Sequence, residues 1–207
     1  MGTGNVERQR REEGVATEGW HSVNREQGTG NWVARLSQPS AIVGIIGFAA
    51  ALAAAAQVTM PIPGTPVPFT LQPLVVVLAG LMLGPTAGAI SMILYLVAGA
   101  SGLPVFSPIG APGLLRFVGP TGGYLIAYPV AAWAAGALGA GREKLAVRFL
   151  AACAGIALIF VGGIAHLAML NRSIVVAIGL GLTKFAPFDI AKAAIAAGVS
   201  GARTPRP

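Results

Sequence analysis

LQPLVVVLAGLMLGPTAGAISMILYLVAGA, residues 71–100, is the stretch on which the fold turns. Gly84-Pro85 divides it into two apolar runs, Leu71–Leu83 and Thr86–Gly99. Each is short for a membrane-crossing helix, which needs about 20 residues. Read as one span, the stretch puts Arg142, Lys144 and Arg148 outside if the arginine-bearing N-terminal segment is inside. Read as a tight hairpin of two, it puts that cluster inside together with Arg203 and Arg206. The bias of basic residues toward the inner side favours the hairpin. The expected fold is therefore all-α, with six transmembrane segments at 41–58, 71–83, 86–100, 119–140, 147–170 and 186–201, and both termini cytoplasmic.

Composition agrees with a multi-pass protein of the cell membrane. The 207 residues are 55% hydrophobic and 10% charged, with a mean hydropathy of +0.73. Ala41–Val58 holds no charge over its whole length, and Gly119–Ala140 and Ala151–Leu170 are similar. The 29 glycines and 15 prolines suit a small-residue bundle with broken helices. The single Cys153, in an apolar run, reads as a packing residue and excludes a disulfide framework. The sequence calls for no metal and no cofactor.

The net charge of +7 does not describe a nucleic-acid surface. Residues 1–39 balance five arginines against five acids. The remainder carries nine basic residues and two acids, mostly at the ends of apolar runs, which is a topology signal. Residues 1–39 are polar and Gly-rich, without helical periodicity, and read as a disordered cytoplasmic tail. Residues 40–203 are the expected six-helix substrate-binding domain.

With this topology three connections fall on the outer side: 59–70 (TMPIPGTPVPFT), 101–118 (SGLPVFSPIGAPGLLRFV) and 171–185 (NRSIVVAIGLGLTKF). The first two are apolar and proline-rich, where ordinary solvent loops are polar. Proline lowers the entropy lost on ordering. Stiff apolar loops gathered on one face read as a lid over a cavity.

Of the two acids beyond residue 39, Asp189 lies inside an apolar stretch with Lys192 three positions on. Either charge at the centre of a bilayer costs about 2.5–3.5 kcal/mol, so such residues usually face a partner or a ligand. The spacing sets both on one helix face, one turn apart. Pro187 suits a first helical turn, and Asp189 there is favoured by the helix dipole, so a capping carboxylate paired with Lys192 or Lys184 is the plain reading. That reading leaves Lys192 one turn deeper without a purpose. Arg116 is the only charge in the 101–118 loop; it is either a snorkelling side chain or a guanidinium fixed for a carboxylate. GPTGGY (Gly119–Tyr124) opens the fourth segment, and its glycine pair allows close approach of backbone or ligand. No GxxxxGK[ST] phosphate loop occurs in the chain.

Ala49–Ala56, interrupted only by Leu52, repeats small residues at four-residue spacing. Ala49, Ala50, Ala53 and Ala54 thus read as an internal contact or as a docking face for another membrane subunit. A rival of another class is an intramembrane serine hydrolase using Ser101, in Gly99-Ala100-Ser101-Gly102, and His166. Against it, Leu103-Pro104 follows where the serine should open a helix. A third reading is a structural membrane subunit with no ligand.

Four stretches in this order, PIPGTPVPFTLQ (61–72), LGPTAGAISMILYLVAGASGLPVF (83–106), GPTGGYLIAY (119–128) and PFDIAK (187–192), resemble the BioY family. That family is the biotin-specific S component of energy-coupling-factor (ECF) transporters, and the resemblance covers about residues 41–201. It implies an ECF S-component-like bundle with a biotin site under loops at its outer end. It also implies no ATP hydrolysis by the chain itself, and a transmembrane coupling subunit and two ATPases as partners. Solitary action and self-association stay open. The family's PF…D-x-x-K pattern corresponds to Pro187, Phe188, Asp189 and Lys192, without the two residues usually inserted between Phe and Asp; GPTGGY corresponds in full. On this reading Asp189 takes the ureido N–H groups of biotin, Lys192 its carbonyl and Arg116 its carboxylate. Phe69, Tyr95, Phe106 and Tyr124 form apolar walls, and the first-helix alanines meet the coupling subunit.

Overall fold

The computed structural model describes residues 36–201. Most of the segment read as a tail, together with Arg203 and Arg206, lies outside the described residues. The compact unit that carries the helical bundle begins at Val43.

The helices are α1 (Pro39–Gln57), α2 (Gln72–Leu83), α3 (Pro85–Ala100), α4 (Gly122–Gly139), α5 (Leu145–Asn171), α6 (Ile174–Gly181) and α7 (Ala186–Gly201). Six of them match the expected segments to within three residues at each end. The seventh, α6, lies inside 171–185, which the sequence reading treats as a connection. Ser173 is its N-cap, with the hydroxyl accepting from the Val176 N–H at 3.4 Å, and an apolar run follows at once. The 59–70 connection is a small antiparallel ribbon, β1 (Thr59–Met60) against β2 (Phe69–Thr70), with Thr59 opposite Thr70. The 101–118 connection ends in a 3-10 turn, Gly113–Phe117.

Residues 71–100 form the hairpin. Gly84 turns at φ 83°, a left-handed conformation that side chains resist, and its N–H closes on the Gly80 carbonyl at 2.9 Å. Pro85 then opens α3, where a missing N–H costs nothing. At 1.5 Å per residue the 12-residue α2 is about 18 Å long, well under a hydrocarbon core of about 30 Å. Among the described helices, α1 and α5 are long and apolar enough to cross a membrane alone, and α6 with α7 qualify together across a 55° bend.

Helix α4 is the hub. It packs most extensively on α5 and also on α2 and α3. Ala131, Ala132 and Ala135 are fully buried along it. Gly123 lies against the Gly162 backbone of α5, where any β-carbon would collide, so the first turn of α4 can approach α5 closely. Such small-residue contacts trade side-chain bulk for dispersion along the whole helix. Ser91 on α3 adds a 2.9 Å hydrogen bond to the Ile45 carbonyl of α1.

At one end of the bundle the three connections are stitched together. The Thr59 and Ser107 hydroxyls meet at 2.9 Å. Thr65 donates to the Leu180 carbonyl at 2.7 Å, and Lys184 Nζ to the Pro63 carbonyl at 2.6 Å. Together they form the lid, with a cavity beneath it.

Candidate functional site

The cavity and its open mouth together enclose about 690 Å³ of atom-free space. Its walls come from every helix of the bundle except α1, and from the lid segments.

Helix α7 supplies the charged pair. Asp189 stands in its first turn, and Lys192 Nζ donates to Asp189 Oδ1 at 2.6 Å, with each side chain only 6% exposed. Lys192 also donates to the Thr70 carbonyl of β2 at 2.7 Å, and its ammonium stands 4.1 Å from the Phe69 ring centroid. A cation over an aromatic face is stabilised by the ring quadrupole. The ammonium therefore spends two of its three hydrogens on protein acceptors. Phe69, expected as a wall, stands behind Lys192 and edge-on to Phe188 at 5.5 Å, and is not among the lining residues.

Tyr124 and Tyr128, one turn apart on α4, both line the cavity. Tyr124 donates to the Gly181 carbonyl at 3.1 Å and so ties α4 to the end of α6. Tyr95 of α3, 1% exposed, accepts from Gln72 Nε2 at 2.9 Å. Its ring meets Phe106 edge-on at 5.4 Å, and Phe106 meets Phe117 in the same way at 5.9 Å.

Arg116 reaches in from the 3-10 turn. Its Nη atoms donate to the carbonyls of Ile109 and Ser107, and its guanidinium carbon stands 5.8 Å from the Phe106 ring centroid. Its Nε is buried with no hydrogen-bond partner, the only such side-chain atom among the described residues. Burial lowers its pKa from the ordinary arginine value, with Tyr95 opposing the shift. A guanidinium stays protonated in a protein all the same, so this wall of the cavity is cationic.

The structure thus gathers Asp189, Lys192, Arg116, Tyr95, Tyr124 and Phe106 around one space. It separates the alanines of α1. Ala49 is buried in the core and Ala53 is half-buried against it, while Ala50 and Ala54 point outward. It does not unite Ser101 and His166. The Ser101 hydroxyl donates to the Ala98 carbonyl of its own helix at 2.8 Å, and His166 Nε2 pairs with the Gly119 carbonyl at 3.1 Å. Neither lines the cavity.

Sequence reading overlooked Gln72 and Tyr128. Gln72 is the one polar side chain in the apolar run 71–83, and that isolation was its signal. Tyr128 stands four residues after Tyr124, the spacing that shares a helix face.

A family model described as "BioY family" matches residues 29–206. The chain is 40% identical over 152 residues to the probable biotin transporter BioY of Pyrococcus horikoshii, covering 72% of this chain and 86% of that protein. It is 35% identical over 150 residues to the biotin transporter BioY of Thermotoga maritima, covering 72% and 87% respectively. A crystal structure described as the S-component for biotin from an ECF-type ABC transporter superposes with a TM-score of 0.71 at 23% identity. The superposition covers 84% of this chain and 93% of that one, and establishes a shared fold.

Proposed function

The chain belongs to the BioY family, and on that premise we propose that it is the biotin-binding membrane subunit of an ECF-type transporter. It captures biotin under the lid and releases it on the other side of the cell membrane. Reorientation is driven by a coupling subunit and ATPases that are separate chains, and the subunit itself catalyses no reaction. The lid end faces outward and both termini are cytoplasmic, a reading supported by the basic residues Arg142, Lys144 and Arg148 between α4 and α5.

The observation that carries the reading is the buried Asp189–Lys192 pair on the cavity wall. A buried ion pair gains little net stability over apolar residues of the same volume. Its value lies in presenting an acceptor and a donor side by side in a dry site. The ureido group of biotin is neutral and offers the complement, two N–H donors and one carbonyl acceptor. Asp189 accepts from the N–H groups, and the third hydrogen of Lys192 goes to the carbonyl oxygen. Arg116, a cation on the cavity wall, receives the carboxylate. Tyr95, Tyr124 and Phe106 enclose the fused ring and the aliphatic chain, and Phe69 supports Lys192 from behind.

Isothermal titration of the detergent-purified, ligand-free protein with biotin tests this directly. One-to-one binding is expected, reduced at least 100-fold in Asp189→Asn, because breaking a buried pair costs about 3–5 kcal/mol. Absence of heat with folded wild type would sink the substrate assignment. Unchanged affinity in the variant would sink the site. In oriented vesicles, biotin should bind from the lid side alone.

Docking of the coupling subunit belongs on the outward face of α1. Ala50 and Ala54 are exposed there, with Gly47 and Ala51 beside them, and small side chains let another helix come close. Ala50→Leu should leave the biotin titration unchanged while lowering uptake several-fold in cells that make all subunits. Normal uptake in that variant would move the docking face elsewhere.

A further inference from the structure

The connection between α3 and α4, residues 101–118, has its polarity inverted. Its one charge, Arg116, is 4% exposed, while its neighbours Leu114, Leu115 and Val118 are 69%, 65% and 65% exposed. Leu103 and Ile109 of the same connection are exposed as well. A single exposed leucine is ordinary, but a cluster of large apolar side chains marks a contact surface. A connection facing water would fold the other way, with the leucines in and the guanidinium out.

The lengths of the helices indicate what covers this cluster. Helix α4, with 18 residues, is about 27 Å long and α2 about 18 Å, both short of a hydrocarbon core of about 30 Å. The turn Gly113–Phe117 packs on α3 and α4 and runs into α4 four residues later. Along α4 the exposed side chains Ile126, Val130 and Trp133 follow the spacing of one helix face. The leucines of the turn carry this apolar surface on past the end of α4, where the helices run short.

The backbone of the connection is consistent with that depth. Irregular backbone near hydrocarbon needs its polar groups met from within the protein. The Nη atoms of Arg116 donate to the carbonyls of Ile109 and Ser107. The N–H groups of Val118 and Gly119 close on the Leu115 and Arg116 carbonyls, each at 3.3 Å. The guanidinium on the cavity wall thus also satisfies the loop that surrounds it.

We propose that the 3-10 turn is a membrane anchor, seated at the headgroup–acyl boundary of the leaflet at the lid end. Leu114, Leu115 and Val118 lie among the acyl chains and Arg116 points back to the cavity. Apolar faces that lie on a membrane sink about 5–10 Å into that boundary. One segment of the lid is therefore held by lipid as well as by protein. The proposal needs only the membrane fold and stands whatever the ligand.

Nitroxide labels on the full chain test it. Cys153 is the only cysteine, so Cys153→Ala gives a background for single substitutions Leu114→Cys and Val118→Cys. Trp133→Cys on α4 and Glu143→Cys in the exposed turn after it serve as lipid and water references. In freeze–thawed phosphatidylcholine vesicles, labels at 114 and 118 should favour oxygen over a water-soluble nickel chelate several-fold, as at 133 and opposite to 143. Preference for the chelate would place the turn in water and overturn the proposal. Low access to both reagents, with spin–spin broadening between labels, would show a second copy on the patch and overturn it as well. Adding Leu114→Ser and Leu115→Ser to the Val118→Cys chain should shift that label toward the chelate; no shift would end the anchoring role. Leu115→Cys serves the same comparison if the Leu114 variant does not fold.

Discussion

Arg116 and Arg148 carry the same group at similar depth, 4% and 8% exposed, and among the described residues neither has a carboxylate partner. They differ in what their hydrogens meet. Arg148, near the start of α5, donates to the Ala197 carbonyl at 2.9 Å and to the carbonyls of Arg142 and Glu143 at 2.9 and 2.8 Å. It thereby ties the turn after α4 to the last turns of α7, where the helix dipole favours a cation. Arg116 holds only two carbonyls of its own loop, lines a cavity, and keeps a buried N–H with nothing to bond. Burial of a charge is therefore not what marks a binding site. The distinction lies between a guanidinium saturated by backbone away from the cavity and one that lines the cavity.

The strongest way to break this comparison is Arg148→Met. Three carbonyls would lose a charged donor, a hydrogen bond to a charged group being worth about 1.5–3 kcal/mol. We expect a large fall in melting temperature and in yield, with normal biotin affinity in whatever folds. Weakened binding with unchanged melting would reverse the roles assigned to the two arginines. Next in size, Arg116→Ala should melt close to wild type and bind biotin about 10- to 100-fold more weakly, the range for a hydrogen bond to a charged group. The same variant should bind a carboxyl-amidated biotin as wild type does, and equal losses on both ligands would end the carboxylate role. Smallest is Arg116→Lys, which keeps charge but not the planar fork and should lose only a few-fold for biotin.

How much of this could be read without coordinates follows from where the physics is local. The Gly84-Pro85 break and the Asp189–Lys192 spacing act within a few residues, and the corresponding hairpin and ion pair are present, whereas 59–70, read only as a stiff loop, pairs its ends as a short ribbon. Facing was harder to read. A helix apolar on all sides has no amphipathic stripe, so nothing in Ala49–Ala54 distinguished the inward Ala49 from the outward Ala50. Helix α6 escaped because its eight residues were too few for a span and its capping serine is a weak signal alone. Tyr128 escaped for a different reason: which side of α4 meets a cavity depends on three-dimensional surroundings, and sequence records only that the tyrosine exists.

The cavity's composition also bears on how the protein comes into being. Its walls run from Val67 to Lys192 in the chain, and both members of the charged pair arrive with α7. A nascent polypeptide inserting from its N-terminal side therefore carries a basic, acid-free pocket until α7 joins the bundle. On the function proposed above, a chain that stops before α7 lacks the charged pair that ligand capture uses. On that function, competence to bind would appear together with completion of the fold, and a ligand-loaded molecule would also be one that has finished assembling.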